Sequence, residues 1–248
     1  MPEPPTLVAS DAHLGATSGA AAGAFLAFLE AVPDLTDDLV LNGDVFDFWF
    51  EYRSVVRRDA FPALRRLAAL RDAGVRVRLV GGNHDAWTGS FLGDELGIEL
   101  IDGPVVTDVG GRRTYLAHGD GLAGGDLGYR FLKAVTRSRP ARALFRWLHP
   151  DLADRLVRRV SRTPQDDAAA RAREESRARL LSHHARGLLD EDPSLELVVF
   201  GHSHRPELTE VAPGRHYLNP GDWIRHFTYG EVSPQGIALR RWEEAPPV

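Results

Sequence analysis

The sequence predicts a layered α/β fold, in which parallel strands are joined by helical crossovers and antiparallel hairpins are added later in the chain. Three observations predict it. Short branched-apolar runs alternate with segments of helical spacing up to residue 80. Beyond residue 98, short strands are separated by glycine-containing turns, as in hairpins. Five polar clusters directly follow apolar runs, which indicates one site at one edge of a sheet.

The first half of the chain carries the predicted alternation of strands and helices. A helix is expected over Gly19–Ala31, where apolar residues recur at helical intervals until they stop near Pro33. A second helix is expected over Val55–Ala73 and ends at Gly74. The strands around these helices are predicted at Thr6–Ala9, Leu39–Leu41 and Val75–Val80.

The second half is predicted to form hairpins and to carry one helical insert. Asp-Gly-Pro and Gly-Gly turns separate strands at Ile98–Ile101, Val105–Val109 and Arg112–Leu116. Helical spacing broken by prolines predicts two or three short helices in an insert at residues 126–162, inside a single domain that spans residues 1–248. The later elements are a helix over Asp166–Leu189, a buried strand over Leu195–Phe200, and hairpin strands at Leu208–Val211, Arg215–Leu218 and Gly236–Trp242.

The composition excludes several kinds of protein. The 248 residues include no cysteine, so disulfides and thiolate metal sites are excluded, and a reducing compartment fits. No apolar run approaches the roughly 20 residues of a membrane span. The N-terminus lacks a basic start and an apolar leader. We therefore expect a cytoplasmic protein whose contact with the inner membrane is peripheral.

The predicted insert is strongly basic within an acidic chain. The net charge of the whole sequence is −5, yet the stretch from Arg130 to Arg162 carries ten basic residues against two aspartates. Such an island indicates an anionic partner, namely phosphate, lipid headgroups or nucleic acid. A solvated helix face is the alternative.

The five polar clusters predict a site for two metal ions. Their candidate ligands share oxygen or nitrogen donors, and they are Asp11, His13, Asp44, Asn83, His118, His202 and His204. If Asp44 bridges, the set makes four bonds to each ion and leaves positions for substrate oxygens and for a bridging water that ionises near neutral pH. Donors without sulfur favour Mn²⁺, with Fe or Zn as alternatives. His84 and Asp47 are expected to assist, Asp47 by orienting His84. The alternative is a collection of unrelated turn residues.

These motifs, in their order, resemble the calcineurin-like metallophosphoesterases. They are Asp-x-His, Gly-Asp-x-x-Asp, Gly-Asn-His-Asp, His-Gly-Asp and Gly-His-x-His, and they extend from Ser10 to His204. The resemblance implies two packed mixed β-sheets flanked by helices, with the metals at the strand ends. It implies one metal held by Asp11, His13, Asp44 and His204, and the other by Asp44, Asn83, His118 and His202. It also places Asn83, His84 and Asp47 among the catalytic residues.

A narrower set of residues is similar to the UDP-2,3-diacylglucosamine pyrophosphohydrolases of lipid A biosynthesis. These are Ser-Asp-Ala-His-Leu, Gly-Asp-Val-Phe-Asp-Phe-Trp, the stretch Asp126–Tyr129, the basic insert and Gly-His-Ser-His-Arg-Pro. The similarity implies cleavage of a UDP-linked diacyl sugar into UMP and the lipid 1-phosphate, with the insert as a lid over the acyl chains. One departure is His84, because the best-known branch of that family has arginine there.

The insert is expected to contact this anionic glycolipid. Its apolar residues alternate with arginines at helical spacing, as in an interfacial element. The expected substrate contacts are Asp126, Tyr129, Arg158, Ser161 and Arg162. The alternative is that the apolar residues only pack the insert onto the core. A phosphodiesterase or nucleotide pyrophosphatase for soluble substrates, and a non-catalytic metal-binding scaffold, remain competing functions. We expect no nucleic acid and infer no obligate protein partner.

Overall fold

Two β-sheets packed against each other form the centre of the fold. In the computed structural model, which describes residues 4–84, 90–122, 144–145, 147–160 and 168–244, the first sheet has six strands and the second has five. Helices flank the sheets. The predicted fold class, two mixed sheets with flanking helices, is confirmed.

The first sheet contains the parallel strands that the sequence predicted. Its strands are β1 (Thr6–Ala9), β2 (Asp38–Asn42), β3 (Arg76–Val80), β4 (Glu99–Ile101), β10 (Thr228–Ser233) and β11 (Gly236–Arg241). They pair in the order β11-β10-β1-β2-β3-β4, with β1 to β4 parallel. The last two strands form an antiparallel hairpin, and β10 pairs antiparallel with β1.

The second sheet combines a parallel centre with a hairpin at each edge. Its strands are β5 (Val105–Val109), β6 (Arg112–Leu116), β7 (Leu197–Val199), β8 (Glu207–Ala212) and β9 (Arg215–Asn219). They pair in the order β5-β6-β7-β9-β8. Strands β6, β7 and β9 run parallel, so their carboxyl ends meet at one edge of the sheet.

The α-helices are α1 (Gly19–Leu35), α2 (Phe61–Asp72), α3 (Pro150–Val160) and α4 (Ala168–Glu191). The hydroxyl of Ser18 caps α1 by accepting a hydrogen bond from the amide of Ala21 at 3.2 Å. This helix ends two residues after Pro33, whose missing N–H weakens the last turn. None of the helices in the described part of the chain combines the length and apolar content that a bilayer crossing requires.

Alternate residues of the first sheet face opposite layers. Val8, Val40 and Val80 face the second sheet, where they share a core with Leu116 and Leu218. The neighbouring residues of β1 to β3 face the opposite way and pack with α1 and α2. Because both faces of these strands are buried, the strands are apolar along their length. A third core lies between the second sheet and α4.

Two local predictions were wrong, and one strand was missed. The helix expected from Val55 begins at Phe61, after a short 3-10 turn at Arg58–Ala60. Strand β4 pairs parallel with β3 and does not form a hairpin with β5. Strand β10 was not predicted, since Gly230 and a neighbouring glutamate interrupt its apolar pattern.

The predicted insert is described only in part. The structure describes residues 144–145 and 147–160 of it, and the helix there is α3. The short helices predicted before residue 144 lie outside the described residues. The single-domain boundary and the extent of the insert remain predictions.

One charged side chain is buried between the sheets. Arg78 on β3 is 1% exposed, forms an ion pair with Asp38, and donates from Nη1 to the main-chain oxygen of Asp108 at 2.7 Å. Thr6 donates its hydroxyl proton to the same Asp38 carboxylate at 2.7 Å. These contacts satisfy polar groups that would otherwise be costly to bury.

Candidate metal centre

The carboxyl ends of five parallel strands from both sheets deliver the predicted ligands. Strands β1, β2 and β3 of the first sheet are followed by Asp11 and His13, by Asp44, and by Asn83. Strands β6 and β7 of the second sheet are followed by His118 and by His202 and His204. The site therefore lies where the two sheets meet.

The structure brings six of the seven predicted ligands into two clusters. Donor atoms of Asp11, His13 and His204 lie within 4.8 Å of one another, and so do those of Asp44, His118 and His202. One oxygen joins the clusters, because Oδ2 of Asp44 lies 3.8 Å from Nε2 of His13 and 3.2 Å from Nε2 of His118. This is the position of a bridging carboxylate.

Asn83 contributes a buried amide oxygen. Its Oδ1 forms no hydrogen bond to any described residue. An unpaired buried oxygen is costly, and a cation is one partner that satisfies it. The seventh predicted ligand therefore has a donor atom that fits the role.

Five of these residues have strained backbones. The φ angles of Asp11, His13, Asp44, His202 and His204 are 55°, 44°, 52°, 64° and 62°. L-residues other than glycine adopt this left-handed region rarely, at a cost of about 1–3 kcal/mol each, and such strain concentrates at functional sites. The fold thus holds the candidate ligands in place at a cost in stability.

Two glycines make room for the ligands. A Cβ atom at Gly82 would lie 2.5 Å from the amide nitrogen of Asp44 and still closer to its carboxylate. A Cβ atom at Gly43 would overlap the imidazole of His118. Only glycine permits this approach of backbone to ligand.

Each carboxylate uses one oxygen for the backbone and presents the other to the site. Oδ2 of Asp11 accepts the amide proton of His202 at 3.0 Å, and its Oδ1 lies 3.5 Å from Nε2 of His204. Oδ1 of Asp44 accepts the amide proton of His84 at 2.9 Å. These bonds fix the orientation of both carboxylates before any ion is bound.

A main-chain carbonyl fixes the ring of His118. Its Nδ1 lies 2.8 Å from the carbonyl oxygen of Asn42, which accepts a proton there. Nε2 is therefore the ring nitrogen that can give up its proton and coordinate a metal. The side chain of Asn42 donates to the carbonyl of Ala117 at 3.0 Å, so the same residue also connects the two sheets.

The carboxylates of the site stabilise the protonated, positively charged form of two histidines. Burial alone would lower the pKa of His118, but Asp44 holds it well above its ordinary value. Burial also opposes protonation of His13, yet the nearby carboxylates of Asp11 and Asp47 raise its pKa to about 10. Burial and the neighbouring His118 lower the pKa of His202 to about 3. A divalent cation would replace the protons on the first two histidines.

Three hydrogen bonds hold His84, through its amide, its carbonyl and its ring. Its amide binds Asp44, its carbonyl accepts from the amide of Trp49 at 3.0 Å, and its Nδ1 lies 2.6 Å from the main-chain oxygen of Asp47. The Asp47 carboxylate, expected to orient this ring, is farther away, with Oδ1 at 3.7 Å from Nδ1 of His84 and 3.8 Å from Nδ1 of His13. The orienting group is thus chiefly the carbonyl.

An apolar groove begins at the residue after Asp47. It has a volume of about 530 Å³ and is lined mainly by Phe48, Phe50, Tyr52, Val55, Val56 and Phe145. The ring of Phe145, from the predicted insert, lies 4.5 Å from that of Phe50 and 5.8 Å from that of Phe48, centroid to centroid. Phe145 of the predicted insert therefore forms part of one wall of the groove.

The predicted substrate contacts are outside what the structure describes. Asp126, Tyr129, Ser161 and Arg162 lie beyond the described residues, and of Arg158 only its place in α3 is described. These contacts remain predictions.

Sequence reasoning missed one buried carboxylate beside the ligands. Asp222 follows β9, and its Oδ2 lies 3.4 Å from Nδ1 of His204. Burial would raise its pKa, but His204 and His226 hold it below its ordinary range, so the group is ionised. The place of Asp222 after a strand could have indicated a site residue, since β9 runs parallel to β7 and ends at the same sheet edge.

The clusters fit divalent cations. Buried oxygen and nitrogen donors converge, several of them form no hydrogen bond, and the carboxylates retain positive charge. Carboxylate, amide and imidazole donors without sulfur suit Mn²⁺, Fe or Zn.

Several known proteins are similar to this chain. The family model of calcineurin-like phosphoesterases matches residues 4–206. The chain is 27% identical over 252 residues to a UDP-2,3-diacylglucosamine hydrolase of Porphyromonas gingivalis, a match that covers 95% of this chain and 96% of that protein. It is 29% identical over 251 residues to the protein of the same name in Xanthomonas oryzae, with 96% and 98% covered. Vacuolar protein sorting 29 of Cryptosporidium parvum superposes with a TM-score of 0.44 at 14% identity, over 95% of this chain and 94% of that one.

Proposed function

The chain belongs to the calcineurin-like phosphoesterase family, and from that premise we propose that it cleaves the pyrophosphate of UDP-2,3-diacylglucosamine, releasing UMP and 2,3-diacylglucosamine 1-phosphate. The proposal is supported by the names of relatives that match about 95% of the chain. The observation that carries it is the aromatic groove that begins at Phe48, the residue after Asp47, since acyl chains need such a surface.

We assign the seven residues to two divalent cations, with Mn²⁺ preferred. Asp11, His13, Asp44 and His204 would hold one ion, and Asp44, Asn83, His118 and His202 the other. Two such ions, when bound, polarise phosphoryl oxygens and lower the pKa of a coordinated water. The protein's own contribution is the rigid placement of the donors by strained backbone and main-chain hydrogen bonds.

His84 is assigned to the substrate phosphate. A donor atom of its ring lies within 4.8 Å of donor atoms of Asp44 and His13, so the ring borders the metal centre. Because the carbonyl of Asp47 accepts the Nδ1 proton, the proton that the ring can exchange with a substrate is the one on Nε2. That proton can be donated to a phosphate oxygen as charge develops on it.

The described part of the insert supports contact with a membrane surface. Leu144, Trp147, Leu152 and Leu156 expose large apolar side chains, and Trp147 is 89% exposed. Arg155 in α3 is exposed among them. Aromatic and apolar residues next to arginine suit the interface of an anionic bilayer. We therefore propose that the enzyme works from the cytoplasm at the inner membrane, where it meets its lipid substrate.

The test is release of UMP from the lipid substrate in the presence of Mn²⁺, followed by chromatography. UDP-N-acetylglucosamine, which has the same pyrophosphate without acyl chains, is the matched control. We expect the lipid to be cleaved with the higher kcat/KM. Asp44→Ala should abolish the reaction, and His84→Gln should lower kcat by on the order of 10²–10⁴-fold with metal binding retained. Absence of UMP from the metal-loaded wild type would refute the substrate assignment.

A second candidate is a phosphodiesterase or nucleotide pyrophosphatase for soluble substrates. The observation that favours it is His84, because general phosphoesterases share this histidine and the best-known lipid A branch has arginine. Equal or better cleavage of a soluble dinucleotide pyrophosphate would support it. A non-catalytic scaffold would instead show no hydrolysis across esters, diesters and pyrophosphates.

A further inference from the structure

The carboxylate of Asp222 has two different sets of contacts. Its Oδ1 accepts main-chain protons from residues 224, 225 and 226 at 3.3, 3.0 and 2.9 Å, and lies 3.1 Å from Nδ1 of His226. Its Oδ2 lies 3.4 Å from Nδ1 of His204 and 3.9 Å from Nε of Arg225. The first set anchors a loop, and the second reaches a candidate metal ligand.

The contact with His204 is buried. Asp222 is 0% exposed and His204 is 3% exposed. Nδ1 of His204 and Oδ2 of Asp222 lie 3.4 Å apart, and neither atom has a hydrogen-bond partner among the described residues. The opposite ring nitrogen, Nε2, lies 3.5 Å from Oδ1 of Asp11 in the first cluster of donors.

We propose that Asp222 is a positioning residue that holds His204 in the tautomer with its proton on Nδ1, so that Nε2 can bind the metal. A carboxylate behind a metal-bound histidine fixes the ring and increases its basicity. The inference rests on the proposed metal centre and assigns it a partner outside the seven predicted ligands.

The carboxylate is also connected to the helix that follows the insert. Arg225, 3.9 Å from Oδ2 of Asp222, donates to Oε2 of Glu174 on α4 at 2.5 Å. Glu174 is 4% exposed. The chain of contacts from α4 to His204 therefore runs through the buried carboxylates of Glu174 and Asp222 and through the partly buried Arg225 between them.

Two substitutions separate positioning from loop anchoring. Asp222→Asn is isosteric and keeps an oxygen for the main-chain amides, but it presents an NH₂ group to Nδ1 of His204. That group favours the tautomer with its proton on Nε2, which blocks coordination. His226→Ala is the matched control, because it removes a ring from the same carboxylate without touching His204.

The experiment titrates Mn²⁺ into metal-free protein and follows binding by calorimetry and by electron paramagnetic resonance. The wild type should bind two ions. Asp222→Asn should lose about 10–100-fold in affinity for one ion and keep the other, whereas His226→Ala should bind both as the wild type does. A folded Asp222→Asn protein with two unchanged affinities would overturn the inference.

A measurement on the wild type covers the case in which the variant does not fold. Nitrogen-15 NMR of histidine-labelled protein should show His204 with its proton on Nδ1, and a proton on Nε2 would refute the assignment. The substrate proposal fails separately, since a wild type that binds two ions and releases no UMP leaves the role of Asp222 intact. A wild type that binds no Mn²⁺ would overturn both the metal centre and this role.

Discussion

Replacing Gly82 by alanine should disable the metal centre, and the neighbouring glycine provides a matched control. A Cβ atom at Gly82 would lie 2.5 Å from the amide nitrogen of Asp44, and still closer to the carboxylate oxygen of that residue. Rotation of the Asp44 side chain cannot relieve a clash with its own backbone. A Cβ atom at Gly81 would meet nothing within 4 Å.

The expected magnitude follows from the displacement that the clash requires. The amide of Asp44 must move by about 1 Å to reach ordinary van der Waals contact, and it carries the bridging carboxylate with it. A displacement of this size at a catalytic centre costs on the order of 10² in rate. Gly82→Ala should therefore lower kcat/KM by about 100-fold or more and weaken binding of both Mn²⁺ ions, because Asp44 is shared.

The assay compares Gly81→Ala and Gly82→Ala for Mn²⁺ stoichiometry, for UMP release and for thermal unfolding. The Gly81 variant should match the wild type in all three. If folded Gly82→Ala protein keeps both ions and its activity within about threefold, the steric reasoning is refuted, together with the bridging role of Asp44.

Three further predictions concern packing, protonation and the groove. Arg78→Ala should lower the free energy of unfolding by about 3 kcal/mol, because it removes a buried side chain and leaves the partly buried carboxylate of Asp38 without its cation. Arg76→Ala, on the same strand in an exposed pair, should cost under about 1 kcal/mol. Urea denaturation measures both losses, and equal losses would contradict the argument. Binding of Mn²⁺ at pH 7.5 should release protons from His13 and His118, because the pKa values of both are raised, and the affinity for Mn²⁺ should therefore rise with pH. Calorimetry in buffers of different protonation enthalpy measures the proton release, and heats of binding that do not depend on the buffer would disprove it. Phe145→Ala should raise KM for the diacyl substrate by about tenfold, because about 60 Å² of apolar contact is lost. Cleavage of bis-p-nitrophenyl phosphate, which has no acyl chain, should be unchanged. An equal loss of kcat/KM on both substrates would argue against an acyl groove.

The central strands were predictable because burial on both faces leaves a strong local pattern. The strand expected at Thr6–Ala9 has those bounds in the structure. The strand expected at Leu39–Leu41 is one residue longer at each end, and the strand expected at Val75–Val80 begins one residue later. Strand β10 left no such pattern, because Gly230 lies where a Cβ atom would overlap Leu218. Its partner, β1, lies more than 200 residues away in the sequence, so no local signal connects them.

The choice of strand partners was the other failure. The Asp-Gly-Pro turn after β4 predicts a hairpin, yet β4 joins the edge of the parallel sheet and β5 begins the second sheet. A turn sequence specifies a change of direction, but competition among sheet edges decides which strand is paired. That competition depends on the whole fold.

The candidate ligands were predictable because the ends of parallel strands converge at one edge. What could not be predicted is how they are oriented. The carbonyl of Asp47 holds the ring of His84. Because every residue has a main-chain carbonyl, this contact leaves no signal in the sequence. Asp222 follows a proline and a glycine and has the appearance of an ordinary turn residue, so its contact with His204 required coordinates.

The two donor clusters both draw on residues from the two separate sheets. Asp11 and Asp44 belong to one sheet, whereas His204, His118 and His202 belong to the other. Bound ions would therefore act as cross-links that fasten one half of the molecule to the other. The resistance of the whole protein to force and to heat would then depend on the free Mn²⁺ concentration. A chelator would weaken the contact between the two sheets without breaking any covalent bond.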